Sequence, residues 1–137
     1  MLVLDTSALS RAMRGDALAL AHAGTQRPGE LLLVPPVAAE IQYGIARLPV
    51  HSRRSRLLRA EYERWRGLLR WLDWGEDAST IFGQQKARLE MRGIRIDDLD
   101  LAIAAIAMAY GLGVATCNAR HFARIDGLQV HDWAEGP

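Results

Sequence analysis

Cysteine, lysine and long apolar runs are scarce in this chain. Cys117 is the single cysteine among 137 residues, which excludes a disulfide within the chain and favours a reducing compartment. The longest apolar runs, residues 31–34 and 101–109, are too short or too rich in alanine to cross a bilayer. No basic segment precedes the first apolar residues, as it would in a signal peptide. We therefore expect a cytoplasmic protein that does not contact a membrane.

A strong excess of charge is also absent. The 17 basic and 16 acidic side chains leave a net charge of +1, so no field of the whole molecule points to a nucleic acid. Arginine is nevertheless concentrated in residues 53–70. Arg53 and Arg54 are candidates for binding RNA phosphates. The same arginines could equally pair with Glu61 and Glu63 or face an acidic partner protein.

Short apolar runs alternate with segments of helical periodicity. Strands are predicted at residues 2–4, 31–34, 70–74, 114–116 and 129–131, and helices at residues 8–13, 16–23, 37–48, 52–69, 80–91 and 98–110. Strands separated by helices imply a parallel sheet that is covered on both faces. The predicted fold is therefore α/β, with four to five strands in one domain spanning residues 1–137. Core or interface positions are expected for Trp65, Trp71 and Trp74.

Three acids stand at boundaries of these elements. Asp5 ends the first strand, Glu40 lies in the first turns of the helix after the second, and Asp100 lies in the first turns of the helix before the fourth. Asn118 follows that fourth strand. Sites in parallel sheets form beyond the carboxyl ends of the strands, where the strand order reverses. If the first and fourth strands are neighbours, all four side chains meet in one crevice.

Such a cluster has a definite chemistry. Neighbouring carboxylates raise one another's pKa unless a cation compensates their charge. Ligands that are all oxygen suit Mg²⁺ or Mn²⁺, which can lower the pKa of a bound water and offset charge on a phosphate. Taken singly, each acid has a simpler explanation. Asp5 could cap a helix, Glu40 could be solvated, and Asp100 could complement a helix dipole.

Four segments in order resemble the motifs of PIN-domain proteins. They are residues 4–9 (LDTSAL), 37–44 (VAAEIQYG), 93–107 (GIRI, then DLAIAAIA from Asp100) and 116–130 (TCNARHF, then GLQV). Any one of these segments is a weak signal, but together they cover nearly the whole chain. Its length and closing segment are similar to those of VapC-type toxins from toxin–antitoxin pairs.

The resemblance implies a three-layer α/β/α fold and an endoribonuclease that cleaves RNA with water activated by Mg²⁺ or Mn²⁺. It also implies a toxin that a small antitoxin protein neutralises and that forms a homodimer. Carried over by position, Asp5, Glu40 and Asp100 become the metal-binding and catalytic acids. The hydroxyls of Thr6 or Ser7 and of Thr116 become supports for the Asp5 side of the site, with Asn118 beside them.

The chain departs from the family at one place. Family members often carry a fourth acid at the position of Asn118 or three residues later, where this chain has His121. The number of metal ions is therefore open, and His121 is either a phosphate or metal contact or a surface residue. Two other functions are weighed: a catalytically weak PIN-like module that binds RNA or a partner, and a haloacid-dehalogenase-like phosphatase. The latter needs an aspartate where Ser7 stands.

Overall fold

Five strands and seven helices alternate along the chain. The computed structural model describes residues 1–137. The strands are β1 (Leu2–Leu4), β2 (Leu31–Leu33), β3 (Arg70–Trp71), β4 (Gly113–Thr116) and β5 (Val130–Asp132). The helices are α1 (Thr6–Met13), α2 (Ala17–Gly24), α3 (Pro35–Ala46), α4 (Arg53–Leu68), α5 (Glu76–Met91), α6 (Asp98–Ala109) and α7 (Ala119–Phe122).

The strands form one parallel sheet in the order β3-β2-β1-β4-β5. Strand β1 therefore lies between β2 and β4, with Leu4 opposite Ala115. This confirms the α/β class and the parallel sheet, and it makes the first and fourth strands neighbours. Strand order reverses at β1, because the chain moves to one side through β2 and β3 and to the other through β4 and β5. The carboxyl ends of β1 and β4 border the crevice that this reversal creates.

Helices cover both faces of the sheet. Successive residues of a strand point to opposite faces, and every residue of β1, β2 and β4 is buried. Helix α6 is the most deeply packed helix, with seven consecutive buried residues from Leu101 to Ala107. Its first turn, which carries Asp98 and Asp100, stays at the surface end of the core. The apolar pattern of α6 thus anchors the helix and leaves its acidic start at the edge of the sheet.

Helix beginnings follow local chemistry. Asp16 caps α2 by accepting a hydrogen bond from the Ala19 amide at 3.0 Å, at the start of the helix predicted for residues 16–23. Pro35 occupies the first position of α3, so the two prolines begin the helix and do not merely end the strand before it. Helix α5 begins three residues before Ser79 rather than after it, with Gly75 as the residue before its first turn. The short helix α7 was not predicted.

The four tryptophans differ widely in burial. Trp65 is buried in the core, whereas Trp71 and Trp74 are exposed at 36% and 39% of their surface, which excludes the core but not the interface position predicted for them. Trp133, for which no core position was predicted, is 1% exposed. Its ring stacks on His22 of α2 with a centroid separation of 5.2 Å and an interplanar angle of 7°. It follows β5 directly and closes that end of the core, because it packs among the buried apolar side chains.

None of the seven helices combines the length and the apolar character needed to span a bilayer.

The burial of the tryptophans predicts unequal losses of stability. We expect Trp133→Ala to lower the free energy of unfolding by about 3–5 kcal/mol, because it removes a large side chain from the packed core. The matched change Trp74→Ala removes a partly exposed ring and should cost less than about 1 kcal/mol. Urea denaturation of both variants measures the difference. Equal losses would mean that Trp133 contributes little to the core.

Candidate active site at the carboxyl edge of the sheet

Asp5 and Thr116 lie side by side at the carboxyl edge of the sheet. Asp5 follows β1 directly and Thr116 is the last residue of β4. The two strands run parallel, and the Asp5 amide donates to the Ala115 carbonyl at 3.0 Å. This register places the Asp5 carboxylate within reach of the Thr116 hydroxyl.

The Asp5 carboxylate is buried and held by three groups. Its Oδ1 atom accepts from the Ala8 amide at 2.8 Å and from the Ser7 hydroxyl at 2.8 Å, and its Oδ2 atom accepts from Thr116 Oγ1 at 2.6 Å. Burial raises the pKa of Asp5, these hydrogen bonds oppose that rise, and the charge of Glu40 adds to it. The side chain is thus an oriented carboxylate that also caps α1.

Ser7 and Thr116 also fix the turn after β4. The Cys117 amide donates to Ser7 Oγ at 2.9 Å, and the Asn118 amide donates to Thr116 Oγ1 at 2.9 Å. Ser7 further lies within 2.9 Å of the second Asp5 oxygen. In a phosphatase of the haloacid-dehalogenase kind an aspartate would stand at this position. Here a serine binds both oxygens of Asp5, so the structure does not favour that alternative.

Glu40 reaches the site from α3. Thr6 Oγ1 donates to Glu40 Oε1 at 2.6 Å. Thr6 or Ser7 was predicted to support Asp5. In the structure Ser7 donates to Asp5, whereas Thr6 donates to Glu40. Because Thr6 and Asp5 are adjacent in the chain, one turn at the end of β1 positions both carboxylates.

Asp100 lies in the first turn of α6, with a pKa raised to about 6. Burial is the largest cause, and the negative charges of Asp97, Glu40 and Asp5 raise the pKa further. Glu40 also raises the pKa of Asp5. The charges of Glu40 and Asp5 therefore act on Asp100, which lies near the carboxyl ends of the neighbouring strands β1 and β4.

His121 faces Asp100. Its Nε2 atom lies 3.0 Å from Asp100 Oδ2, without the alignment of a hydrogen bond. Arg124 Nη2 lies 3.1 Å from His121 Nδ1. An arginine can only donate, so in the neutral ring Nδ1 accepts this bond and the ring proton lies on Nε2, which faces the carboxylate. When the ring is protonated, its positive charge lowers the pKa of Asp100, which is opposite to the effect of the other acids.

The acids line two adjoining depressions of the surface. A polar cleft of about 340 Å³ contains Asp5, Asp100 and Asn118, and only one of the residues lining it is hydrophobic. A larger groove of about 930 Å³ contains Glu40 together with eight hydrophobic residues. Thr6, Ser10 and Arg14 line both depressions. The acid site is thus continuous with the groove.

The donor atoms fit a divalent cation of the magnesium type. No three His, Cys, Asp or Glu side chains are gathered closely enough to enclose an ion among themselves. Mg²⁺ keeps several waters, however, and needs only one or two carboxylates. Asp5 and Asp100 share the cleft with hydroxyl and amide oxygens, and burial, with a smaller contribution from neighbouring acids, raises the pKa of both carboxyl groups. A site of this kind holds an ion partly through water.

The predicted RNA-binding residues separate in the structure. Arg54 lines the groove beside Glu40, whereas Arg53 lines neither depression. Two arginines that were not singled out, Arg11 and Arg14, line the cleft itself. The sequence could have indicated them, because a spacing of three residues along the helix that Asp5 caps places both arginines on one helix face.

The comparisons with known proteins agree with the fold and with the motifs. The PIN domain family matches residues 2–128. The VapC ribonuclease Y4jK of Sinorhizobium fredii is 34% identical over 120 residues, which cover 85% of this chain and 86% of that protein. Ribonuclease VapC2 of Haemophilus influenzae is 27% identical over 131 residues, 96% of each chain.

Solved structures are similar over almost the whole length. The DNA-bound VapBC structure from Salmonella typhimurium matches with a TM-score of 0.84 at 27% identity, covering 97% of this chain and 99% of that one. The match of residues 2–128 leaves only the two ends of the chain outside the family's domain. The chain therefore belongs to the PIN-domain family and, within that family, to the VapC ribonucleases.

Proposed function

We propose that this chain is the toxin of a toxin–antitoxin pair, an endoribonuclease that uses Mg²⁺ or Mn²⁺ held by Asp5, Glu40 and Asp100. The observation that supports it most is the meeting of these acids at the carboxyl edge of the sheet, where the charge of Glu40 raises the pKa of both Asp5 and Asp100. Family membership supports the ribonuclease activity. The oxygen-rich cleft supports the choice of metal.

Each acid has its own part in this proposal. Asp5 is already oriented by its three donors, so it binds the ion without rearrangement. Glu40, held by Thr6, supplies a second carboxylate from the groove side. The pKa of Asp100 is raised to about 6, so this carboxylate can take up a proton near neutral pH. We therefore assign it the proton that leaves the attacking water.

When bound, the divalent cation supplies positive charge for the phosphate and acidifies water. The chain's own residues hold the carboxylates in place and keep the cleft polar. Asn118 lines the cleft, and no capping hydrogen bond from its side chain to α7 engages the amide. The amide oxygen is free to accept a hydrogen bond from water near the ion.

A protein antitoxin is the proposed partner, and RNA is the proposed substrate. Support for the antitoxin comes from VapBC relatives of the same fold, among them the Salmonella typhimurium structure. A homodimer is proposed on the family resemblance. The catalytically weak module remains the alternative, and cleavage assays separate the two.

The first test removes one carboxylate at a time. We expect Asp5→Asn and Asp100→Asn each to lower RNA cleavage in Mg²⁺ by at least about 100-fold while the protein stays folded, because loss of second-shell groups alone reaches that size. The matched control is Asp98→Asn, which neutralises an exposed acid of the same helix turn that pairs with Lys86. Gel assays measure cleavage, and circular dichroism checks the fold. Undiminished cleavage in either variant would mean that another site acts.

The raised pKa of Asp100 predicts a pH-dependent stability of the metal-free protein. The folded state binds this proton more tightly than the unfolded chain, so the stabilisation is complete below the usual pKa of 3.8 and is lost as pH rises through about 6. Melting temperatures in EDTA should therefore fall more steeply across pH 6 for the wild type than for Asp100→Asn.

Divalent metal should reverse that loss. Binding to the folded state at 100 times Kd stabilises it by about 2.7 kcal/mol, so Mg²⁺ or Mn²⁺ should raise the melting temperature above pH 6. The effect should be much smaller in Asp5→Asn. An unchanged melting temperature at saturating concentrations of both ions would contradict the metal site.

The departure at Asn118 yields another test. Asn118→Asp adds a charge to the cleft that holds Asp5 and Asp100, so it should favour a divalent ion and repel the acids when the ion is absent. We expect a lower Mg²⁺ concentration for half-maximal cleavage together with a lower melting temperature in EDTA. Asn118→Ala serves as the control, since it adds no charge. If both quantities stay at their wild-type values, Asn118 does not face the acids.

A further inference from the structure

Arg11 of α1 and Arg14, the residue that ends this helix, border the acid cleft. Arg11 and Arg14 are three residues apart, so they lie on one face of the helix. Both line the cleft that contains Asp5, Asp100 and Asn118. Arg14 also lines the neighbouring groove, which places it where the two depressions meet.

Neither arginine neutralises an acid of the protein. The four ion pairs of the structure are Arg64–Glu61, Lys86–Asp98, Arg92–Asp126 and His121–Asp100. Arg11 and Arg14 are absent from all of them. Neither arginine contributes to the pKa shift of Asp5 or of Asp100. Their positive charge is therefore available to a ligand in the cleft.

Arg14 is oriented by its own helix. Its Nε atom donates to the Ser10 carbonyl at 3.2 Å, and its Nη2 atom donates to the Ser10 hydroxyl. Ser10 lines the cleft as well. A guanidinium has five N–H groups, so most donors of Arg14 remain free after these bonds. A simpler explanation is that a basic residue in the last turn of α1 interacts favourably with the helix dipole. That explains Arg11, but it does not explain why two arginines face the cleft.

The cleft presents an electrostatic difficulty to RNA. Its carboxylates repel a phosphate backbone, and a net charge of +1 supplies no general attraction. The proposed metal ion would offset this repulsion at the cleaved phosphate, and positive side chains beside the acids would offset it at the neighbouring phosphates. Guanidinium groups suit this task, because their fork of donors matches the oxygens of a phosphate.

We propose that Arg11 and Arg14 bind the RNA phosphates that flank the cleaved one and so place the strand across Asp5 and Asp100. This inference rests on the proposed RNA cleavage. Arg14, at the junction, holds the strand where it passes from the groove into the cleft. The two residues bind and position substrate, and the acids carry the chemistry.

The test measures how binding depends on salt. Each phosphate contact to a single strand contributes about 0.7 to the slope of log K against log salt concentration. A fluorescent single-stranded RNA is titrated with protein in EDTA at several KCl concentrations, and a gel confirms that it stays intact. Arg11→Gln with Arg14→Gln should reduce the slope by about 1.4. If the two proteins bind equally at 1 M salt, the double variant then binds about 25-fold more weakly at 0.1 M salt.

Matched variants separate binding from structure. Arg27→Gln removes one positive charge from the loop before β2, at the opposite end of the sheet, and should leave the slope unchanged, whereas Arg11→Gln or Arg14→Gln alone should each reduce it by about 0.7. Arg11→Lys with Arg14→Lys keeps the charge and should keep the slope. In Mg²⁺, the double glutamine variant should raise KM for RNA far more than it lowers kcat. Melting temperatures record any structural loss.

Two results would overturn the proposal in different ways. If the wild type binds and cuts RNA but the double variant keeps its slope and KM, the arginines do not touch the substrate, and cleavage of RNA stands without them. The arginines would likewise not touch the substrate if the double variant had a lower melting temperature but the same slope and KM as the wild type. If the wild type neither binds nor cuts RNA, the proposed function itself fails and this inference fails with it.

Discussion

The buried carboxylate of Asp5 is the group on which the arrangement of the site depends. Removing a carboxylate from water is costly unless hydrogen bonds replace its hydration, and here donors come from α1, from Ser7 and from the end of β4. One side chain thereby joins two strand ends and a helix start. These hydrogen bonds fix the directions of α1 and of the turn after β4. They therefore also determine which residues of α1 and of that turn face the cleft.

Much of this could be predicted from the sequence, because the signals are local. Apolar runs bounded by polar residues indicated the buried strands, and Asp16 before an alanine-rich segment indicated a helix cap. The alternation of strands and helices then limited the fold to a parallel sheet, with sites at its carboxyl edge. This rule alone was enough to place Asp5, which directly follows β1, at the site. The closeness of Glu40 and Asp100 depended on strand order, which periodicity does not contain.

The contacts that were not predicted are those between residues distant in the chain. Thr6 and Ser7 are equivalent in sequence terms, and only the packing of α3 decides that Thr6 meets Glu40. Trp133 follows an edge strand, where exposure is the ordinary expectation, and its burial depends on α2 lying beneath its ring. Pro35 has two ordinary uses, as the end of a strand or the start of a helix, and the neighbouring elements select the second.

The hydrogen bond between Asp5 and Thr116 joins residues 111 positions apart. Closing a loop of that length costs chain entropy that nearby contacts do not recover, so such a contact depends on strands β1 and β4 having already paired. A chain in which only local helices have formed therefore has its acids scattered and has no cleft. Any opening that releases β4 from β1 also separates Thr116 and Asn118 from Asp5. The geometry of the cleft thus exists only while the centre of the sheet is closed, which makes this site inseparable from the global cooperativity of the fold.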